Sequence, residues 1–400
     1  MAQYVIQIEK DSHRIEKITF GAFFLYAFIG ILLSTNLSFS GWNWISRGIQ
    51  FICLGILGLV FLSHFFQGRI VFRPFAILLF IAGIGNFLTS RHTFILVFAL
   101  LFCVFPYVDF KKRVRLFSFE LLFALFFVIV CSQIGLMENG IAYRGDRFRY
   151  TLGFGTTTLP LSILFFSTMA LFYVERKNFP VWLILADFCL RLVLYYFTYT
   201  RTGFILNAFA LCVIILDKIF PFDRWFSSLS EHTVKIFLHY LLPFFILLVI
   251  YYAISRYRTD PVFSFKADGF LSGRLGFTST LIDEYGFSLF GKKLNNFDAN
   301  GNYRGSDICY TFYGLNYGLL SLGCIIFLEL KAFSYAFKKK DFVLWFALFL
   351  ILIDGVVEPY LADYKYQLFL FSVSSERRLS KEEKIWKAIE NPFEFARRLG

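Results

Sequence analysis

The sequence predicts an all-α, polytopic integral membrane protein with about twelve transmembrane helices and one large extracytoplasmic loop. Three observations carry that expectation. The 400-residue chain is 58% hydrophobic and 21% aromatic with only 17% charged residues, whereas soluble domains are nearer half apolar and about a quarter charged. Apolar runs of bilayer-crossing length, roughly 20 residues, recur throughout. Lysine and arginine are shared unevenly between alternate connections.

In order, the runs fall at 19–38, 48–66, 71–89, 93–108, 116–136, 155–174, 180–198, 203–220, 236–254, 310–330, 342–358 and 360–375. The first begins at Thr19 with no small-residue cleavage site after it, so a removable signal peptide is not expected. With the N-terminus cytoplasmic, inner segments hold 25 of the 40 lysines and arginines and outer ones 14, Arg191 lying within a span. That bias predicts both termini inside. No repeat and no Pro- or Ser-rich linker divides the chain. Residues 1–375 therefore read as one transmembrane domain and 376–400 as a cytoplasmic tail. In the tail, SKEE is a capping-box pattern ahead of IWKAIE, expected to start a short helix lying along the inner leaflet.

Two outer segments run against the charge rule. MENGIAYRGDRFRYTL, 137–152, holds three arginines, and the large loop, 255–309, holds seven basic and six acidic residues. Long loops translocate regardless of charge, so solvated surface is one reading and recruitment of an anion the other. The formal charge of +12, in a membrane chain, points to a lipid surface or an anionic substrate and away from nucleic acid. Six of the seven cysteines lie in apolar runs and no CxxC occurs, so neither a disulfide framework nor a metal site is expected.

Charges within or beside the spans narrow the chemistry. Asp187 and Arg191 stand four apart in mid-span and are expected to form a structural pair. Asp354 and Glu358 share that spacing as like charges, so one must hold a proton or meet a cation. In YYFTYTRTGFILNAF, Arg201 sits between two apolar runs with Thr200, Thr202 and Gly203. It either snorkels to the interface or meets an anion. Outward-facing chemistry lacks nucleotides and needs a substrate carrying its own activation, as a lipid pyrophosphate does. The outer segments hold no Asp-x-Asp pair or histidine cluster, so no metal or other cofactor is expected. Arginine's planar fork remains to meet the diphosphate.

Several stretches, taken together, resemble bacterial O-antigen and capsule polymerases, the Wzy family. RFRYTLGFGTTTLPLSILF resembles the family's Arg-Tyr-Ser-Leu-Gly-Phe stretch, and YYFTYTRTGFIL its Thr-x-Ser-Arg-Thr-Gly signature with Thr200 for the serine. SGRLGF and SLFGKKL are similar to its Gly-Arg and Leu-Phe-Gly pair. SDICYTFYGLNYGLLSLG resembles its Asp-Asn-x-Tyr segment, with Ile308 where asparagine is common, and VVEPYLADYKYQLFLF its late glutamate and final span. These run in the family's order from Arg147 to Phe371; Thr156–Thr158 depart from its Pro-Asn turn and are assigned no role.

The resemblance implies a glycosyltransferase of the bacterial cytoplasmic membrane, active on its outer face. Its donor would be a glycan on undecaprenyl pyrophosphate and its acceptor a lipid-linked repeat unit, with the bilayer, a flippase and a chain-length regulator as partners. It implies Arg201 and Arg274 as catalytic cations and Asp307 as the base, though Asp307 serves equally as a helix N-cap. Arg147, Arg149, Arg258 and Glu358 would contact substrate. The alternatives are a flippase or transporter of lipid-linked oligosaccharides, or an O-antigen ligase-type transferase.

Overall fold

The computed structural model describes residues 2–37, 41–66, 73–105, 109–144, 147–220, 222–228, 236, 240–271, 273–295, 308–356, 358–360 and 363–375. The expected tail helix and Asp307 lie outside them. The chain is predominantly α-helical. Helices α1 (Ala2–Leu32), α2 (Trp42–Phe66), α3 (Arg73–Ser90), α4 (Phe94–Val104) and α5 (Phe110–Gln133) match the first five expected runs. A β-hairpin, β1 (Ile141–Arg144) and β2 (Arg147–Tyr150), follows. Next come α6 (Leu159–Glu175), α7 (Val181–Thr198), α8 (Arg201–Ile219), α9 (Phe222–Ser228) and α10 (Leu242–Thr259). The stretch read as one large loop carries helices α11 (Pro261–Leu271) and α12 (Arg274–Tyr285). The C-terminal part holds α13 (Cys309–Asn316), α14 (Leu319–Lys338) and α15 (Phe342–Asp354).

Among the described residues six helices, α1, α2, α5, α7, α8 and α14, are long and apolar enough to cross a membrane. The 25 residues of α2 extend about 37 Å, against a hydrocarbon core of about 30 Å. Its buried stripe is Cys53, Leu57, Val60 and His64, while Phe51, Ile52, Leu59 and Phe66 project outward at 66–81% exposure. A helix with grease on both faces has lipid for one of its solvents. Helix α4 has only 11 residues, about 16 Å, and its buried face is nearly continuous.

Helix α6 forms the centre. Every residue from Leu159 to Tyr173 except Leu171 is buried. It packs most extensively on α5, whose buried face runs Val114, Phe117, Ser118, Leu121, Ala124, Leu125, Val128. Small residues let the two backbones approach, and Ser167 Oγ donates across to the Ser118 carbonyl at 3.0 Å. On its α7 side the expected intramembrane pair forms. Arg191 Nε donates to Asp187 at 2.6 Å, while Thr168 of α6 bridges both, 2.8 Å to Asp187 and 2.7 Å from Arg191. Beyond α6, Arg176 forks onto Asp217 and also meets Asp223. Partial burial works against its charge, but the two carboxylates prevail and hold its pKa above the ordinary arginine value.

The last expected span, 360–375, is not an α-helix. Its described residues, 360 and 363–375, form turns followed by a 3₁₀ segment, Phe369–Ser375. Its Tyr360 hydroxyl meets Thr158, at the start of α6, at 3.5 Å, and its Phe369 ring meets Tyr173, near the end, at 5.9 Å. The segment therefore runs the length of α6, about 22 Å. Backbone of this kind is tolerated at membrane depth only inside protein, and residues 366–374 are all buried. Gln367 Oε1 accepts from the Phe369 N–H at 2.8 Å. Tyr366 reaches Ser34 of the α1 terminus, and Tyr364 reaches Tyr26, both at 3.2 Å.

Two of the glycine-bearing sequence stretches interlock. Lys292 N–H donates to the Leu315 carbonyl and Leu319 N–H to Ser288, each at 2.9 Å. Asn86 of α3 ties both strands of chain, donating to Phe290 at 2.8 Å and Asn316 at 2.9 Å. Gly291 has φ +83°, and a Cβ there would lie 2.2 Å from the Asn316 carbonyl oxygen. Gly291→Ala is therefore expected to cost more than about 1 kcal/mol and to lower the thermal midpoint in detergent size-exclusion assays. Gly55→Ala, in open space on α2, should leave that midpoint unchanged.

Candidate functional site

The hairpin places two arginines on one face. Alternation along β2 sends Arg147 and Arg149 one way and Phe148 and Tyr150 the other. Phe148 pairs with Tyr143 across the hairpin, and Tyr150 meets Phe197 of α7. After β2 the chain is clamped to the end of α1: Asn36 N–H donates to Gly153 and Gly155 N–H to Ser34, each at 2.8 Å. The arginine face is thereby held against the α7–α8 turn.

That turn is tight because Tyr199 adopts a left-handed conformation, φ 49° and ψ 40°, closing α7 with its N–H on the Tyr195 carbonyl. A non-glycine residue there costs about 1–2 kcal/mol, and Arg149 and Thr200 hold it. Arg149 Nε donates to the Thr198 carbonyl at 2.9 Å and its Nη2 to Thr200 Oγ1 at 3.3 Å. Thr200, buried, donates in turn to the Thr157 carbonyl at 2.9 Å. The phenol so positioned carries two cations. The Arg147 guanidinium lies 4.6 Å and that of Arg201 5.0 Å from its ring centroid, and Arg201 Nη2 donates to its hydroxyl at 2.8 Å.

Arg147 and Arg201 are both exposed, and among the described residues neither has a carboxylate within ion-pair distance. Arg201 is also the first residue of α8, at the positive end of the helix dipole. Two guanidiniums over one ring at a helix N-terminus repel each other until an anion arrives. Cation–π contact holds both cations by the ring face, and Arg201 gives one of its donors, Nη2, to the Tyr199 hydroxyl.

Arg274 is placed differently. It opens α12 behind Gly273 (φ 79°), is 8% exposed, and its Nη2 donates to Glu358 at 2.7 Å. Glu358 N–H bonds the Asp354 carbonyl at 2.8 Å. Asp354 is buried, and among the described residues its Oδ2 has no hydrogen-bond partner. The expectation that one of the like-charged pair meets a cation thus holds for Glu358. Cys309 N–H donates to the Gly355 carbonyl at 2.9 Å, bringing the start of α13 to the same point. Tyr360, two residues past Glu358, touches Thr158, and Thr157 beside it accepts from Thr200, so the Arg274 end and the Arg147–Arg201 end both reach the Thr156–Thr158 turn.

The expected site residues therefore divide. Arg147, Arg149 and Arg201 converge on one turn, and Arg274 and Glu358 on another, linked through the Thr156–Thr158 turn that the sequence had left without a role. Arg258 instead ties α10 to α12, donating to Ser279 at 2.8 Å and pairing with Asp283 at 2.8 Å. Asp307 falls outside the described residues. Tyr199 and the Tyr360 contact were missed. The alternation in IAYRGDRFRY around Gly-Asp was the available signal for the hairpin. Nothing local marks Tyr199 as left-handed.

No family model, characterised protein or solved structure matches the chain.

The two paired arginines should behave unequally. Arg274→Met strands buried Glu358 beside Asp354 and is expected to cost about 3–5 kcal/mol. Arg258→Met, in a pair 39% and 63% exposed, should cost about 1 kcal/mol or less. Thermal unfolding in detergent measures both, and adding Glu358→Gln to Arg274→Met should recover part of the loss.

Proposed function

We propose that the chain is a polysaccharide polymerase of the cytoplasmic membrane. On this reading it lengthens a glycan on undecaprenyl pyrophosphate by transferring it to a lipid-linked repeat unit at the outer face, with both termini inside. Residues 360–375 are the last of about twelve crossings, made as a buried irregular segment.

The observation that carries the reading is the Arg147–Tyr199–Arg201 cluster, a pair of exposed guanidiniums with no carboxylate at ion-pair distance among the described residues, buttressed by Arg149. It is a receptor for a dense anion. Supporting it, the stretches that resemble the polymerase family, far apart in sequence, pack together: RFRYTLGF on the TYTRTG turn, SGRLGF on VVEPY, and SLFGKKL on GLNYGLL.

In the proposed step the acceptor hydroxyl oxygen attacks the anomeric carbon of the donor. The bond from that carbon to the pyrophosphate oxygen breaks, and the pyrophosphate departs with the electron pair onto Arg147 and Arg201. Preorganised cations aimed at developing charge supply most of the stabilisation available in such a site. The hydroxyl proton goes to a carboxylate. Asp307 is the candidate the resemblance implies, and Asp354 and Glu358 are acids at the Arg274 end. Arg274, already matched by Glu358, acts by holding α12 on the site.

Purified protein given only the lipid-linked repeat unit should lengthen it without an energy source; a flippase would not. Arg147→Ala and Arg201→Ala are each expected to lower kcat about 100–1,000-fold with normal membrane insertion. Unchanged product length in both variants, or repeat units trapped on the inner leaflet, would overturn the reading.

A further inference from the structure

Where α3 begins and α4 ends, a cavity of about 150 Å³ opens between α3, α4, α14 and the 3₁₀ segment. Its walls are Pro74, Phe75, Phe102, Phe327, Leu328 and Val373, with Lys331 at the rim. Pro74, Phe327 and Lys331 are exposed, whereas Phe102, Leu328 and Val373 form a buried floor. The cavity is therefore a cleft in the outer surface of the bundle. Its shape is set by aromatic contacts: the Phe75 ring lies 5.0 Å from Phe327 and 5.4 Å from Phe102.

The lining is hydrocarbon except for one charge. An apolar cavity of this size stays dry and takes an apolar guest, and on the lipid-facing side of a span that guest is an acyl chain. The Lys331 ammonium lies 5.3 Å from the Phe327 ring centroid, and among the described residues no carboxylate is within ion-pair distance of it. It stands seven residues before the end of α14, about 10 Å along the axis, within snorkelling reach of the interface. A hydrocarbon cleft beside a cation that no described carboxylate pairs matches a lipid whose headgroup carries net negative charge and not a zwitterionic one.

We infer that this cleft binds one anionic glycerophospholipid, an acyl chain against Phe102 and Val373 and the phosphate at Lys331 Nζ. The inference does not depend on the polymerase reading. Val373 belongs to the threaded segment whose other end carries Tyr360, so the bound lipid braces the segment that reaches the candidate site.

Native mass spectrometry of the full chain, released from micelles holding equal phosphatidylglycerol and phosphatidylcholine, tests it. One phosphatidylglycerol should be retained about fivefold over phosphatidylcholine, the preference that a single lysine near a lipid surface provides. Lys331→Gln should equalise the two lipids at unchanged thermal midpoint, while Lys338→Gln, on the same helix but away from the cleft, should preserve the preference. Equal retention by the unmodified chain overturns the inference, as does a preference that survives Lys331→Gln. Displacement of phosphatidylglycerol by polyprenyl phosphate would also overturn it, assigning the cleft to the carrier lipid.

Discussion

In hydrocarbon a backbone N–H or C=O has no water to turn to, and the architecture follows from that constraint. Helices satisfy it within themselves and can face lipid, as α2 does with Phe51, Ile52, Leu59 and Phe66. The irregular segment 360–375 cannot, so it is confined to the middle, against α1, α4, α6 and α14. Its polar groups find protein partners in Gln367, Ser34 and Tyr26. That placement buries α6 and delivers Glu358 and Tyr360 to the same end as the β-hairpin.

Charge is sorted by the same constraint. Two buried arginines are matched by acids, Arg191 by Asp187 with Thr168 and Arg274 by Glu358, while buried Arg113 lies against the Phe105 and Phe110 rings. Arg147 and Arg201, at the surface, rest on an aromatic ring in place of an acid. A carboxylate would have neutralised them, whereas a π face holds them in position and leaves most of their donors available. The left-handed backbone of Tyr199 is strain retained where the surroundings over-determine it. Here the surroundings are Arg149 on Thr198 and Thr200 on Thr157.

Much of the fold was legible in the sequence, and the site only in pieces. Mean hydropathy and run length locate helices because each span must be apolar over its own length, a local property. The same signal misread 360–375, since a segment buried in protein and a helix bathed in lipid are equally greasy. It also read 255–309 as a loop, because helices α11 and α12 carry charges that no hydropathy window accepts. Arg147 and Arg149 stood out as charges against the topology rule and Arg201 as a charge between two apolar runs, but their meeting depends on a hairpin signalled only by weak alternation.

By itself the sequence determined that this chain lives in a membrane and that Asp187 and Arg191 pair. Composition and short-range spacing suffice for each, because each rests on neighbours within a few residues or on totals. The tertiary structure alone decided which arginines are matched and which stand open, that a single tyrosine organises two of them, and that residues 363–375 form a buried irregular segment and not an α-helix. Those outcomes depend on contacts between residues separated by tens to hundreds of positions, where packing, not pattern, sets the partner.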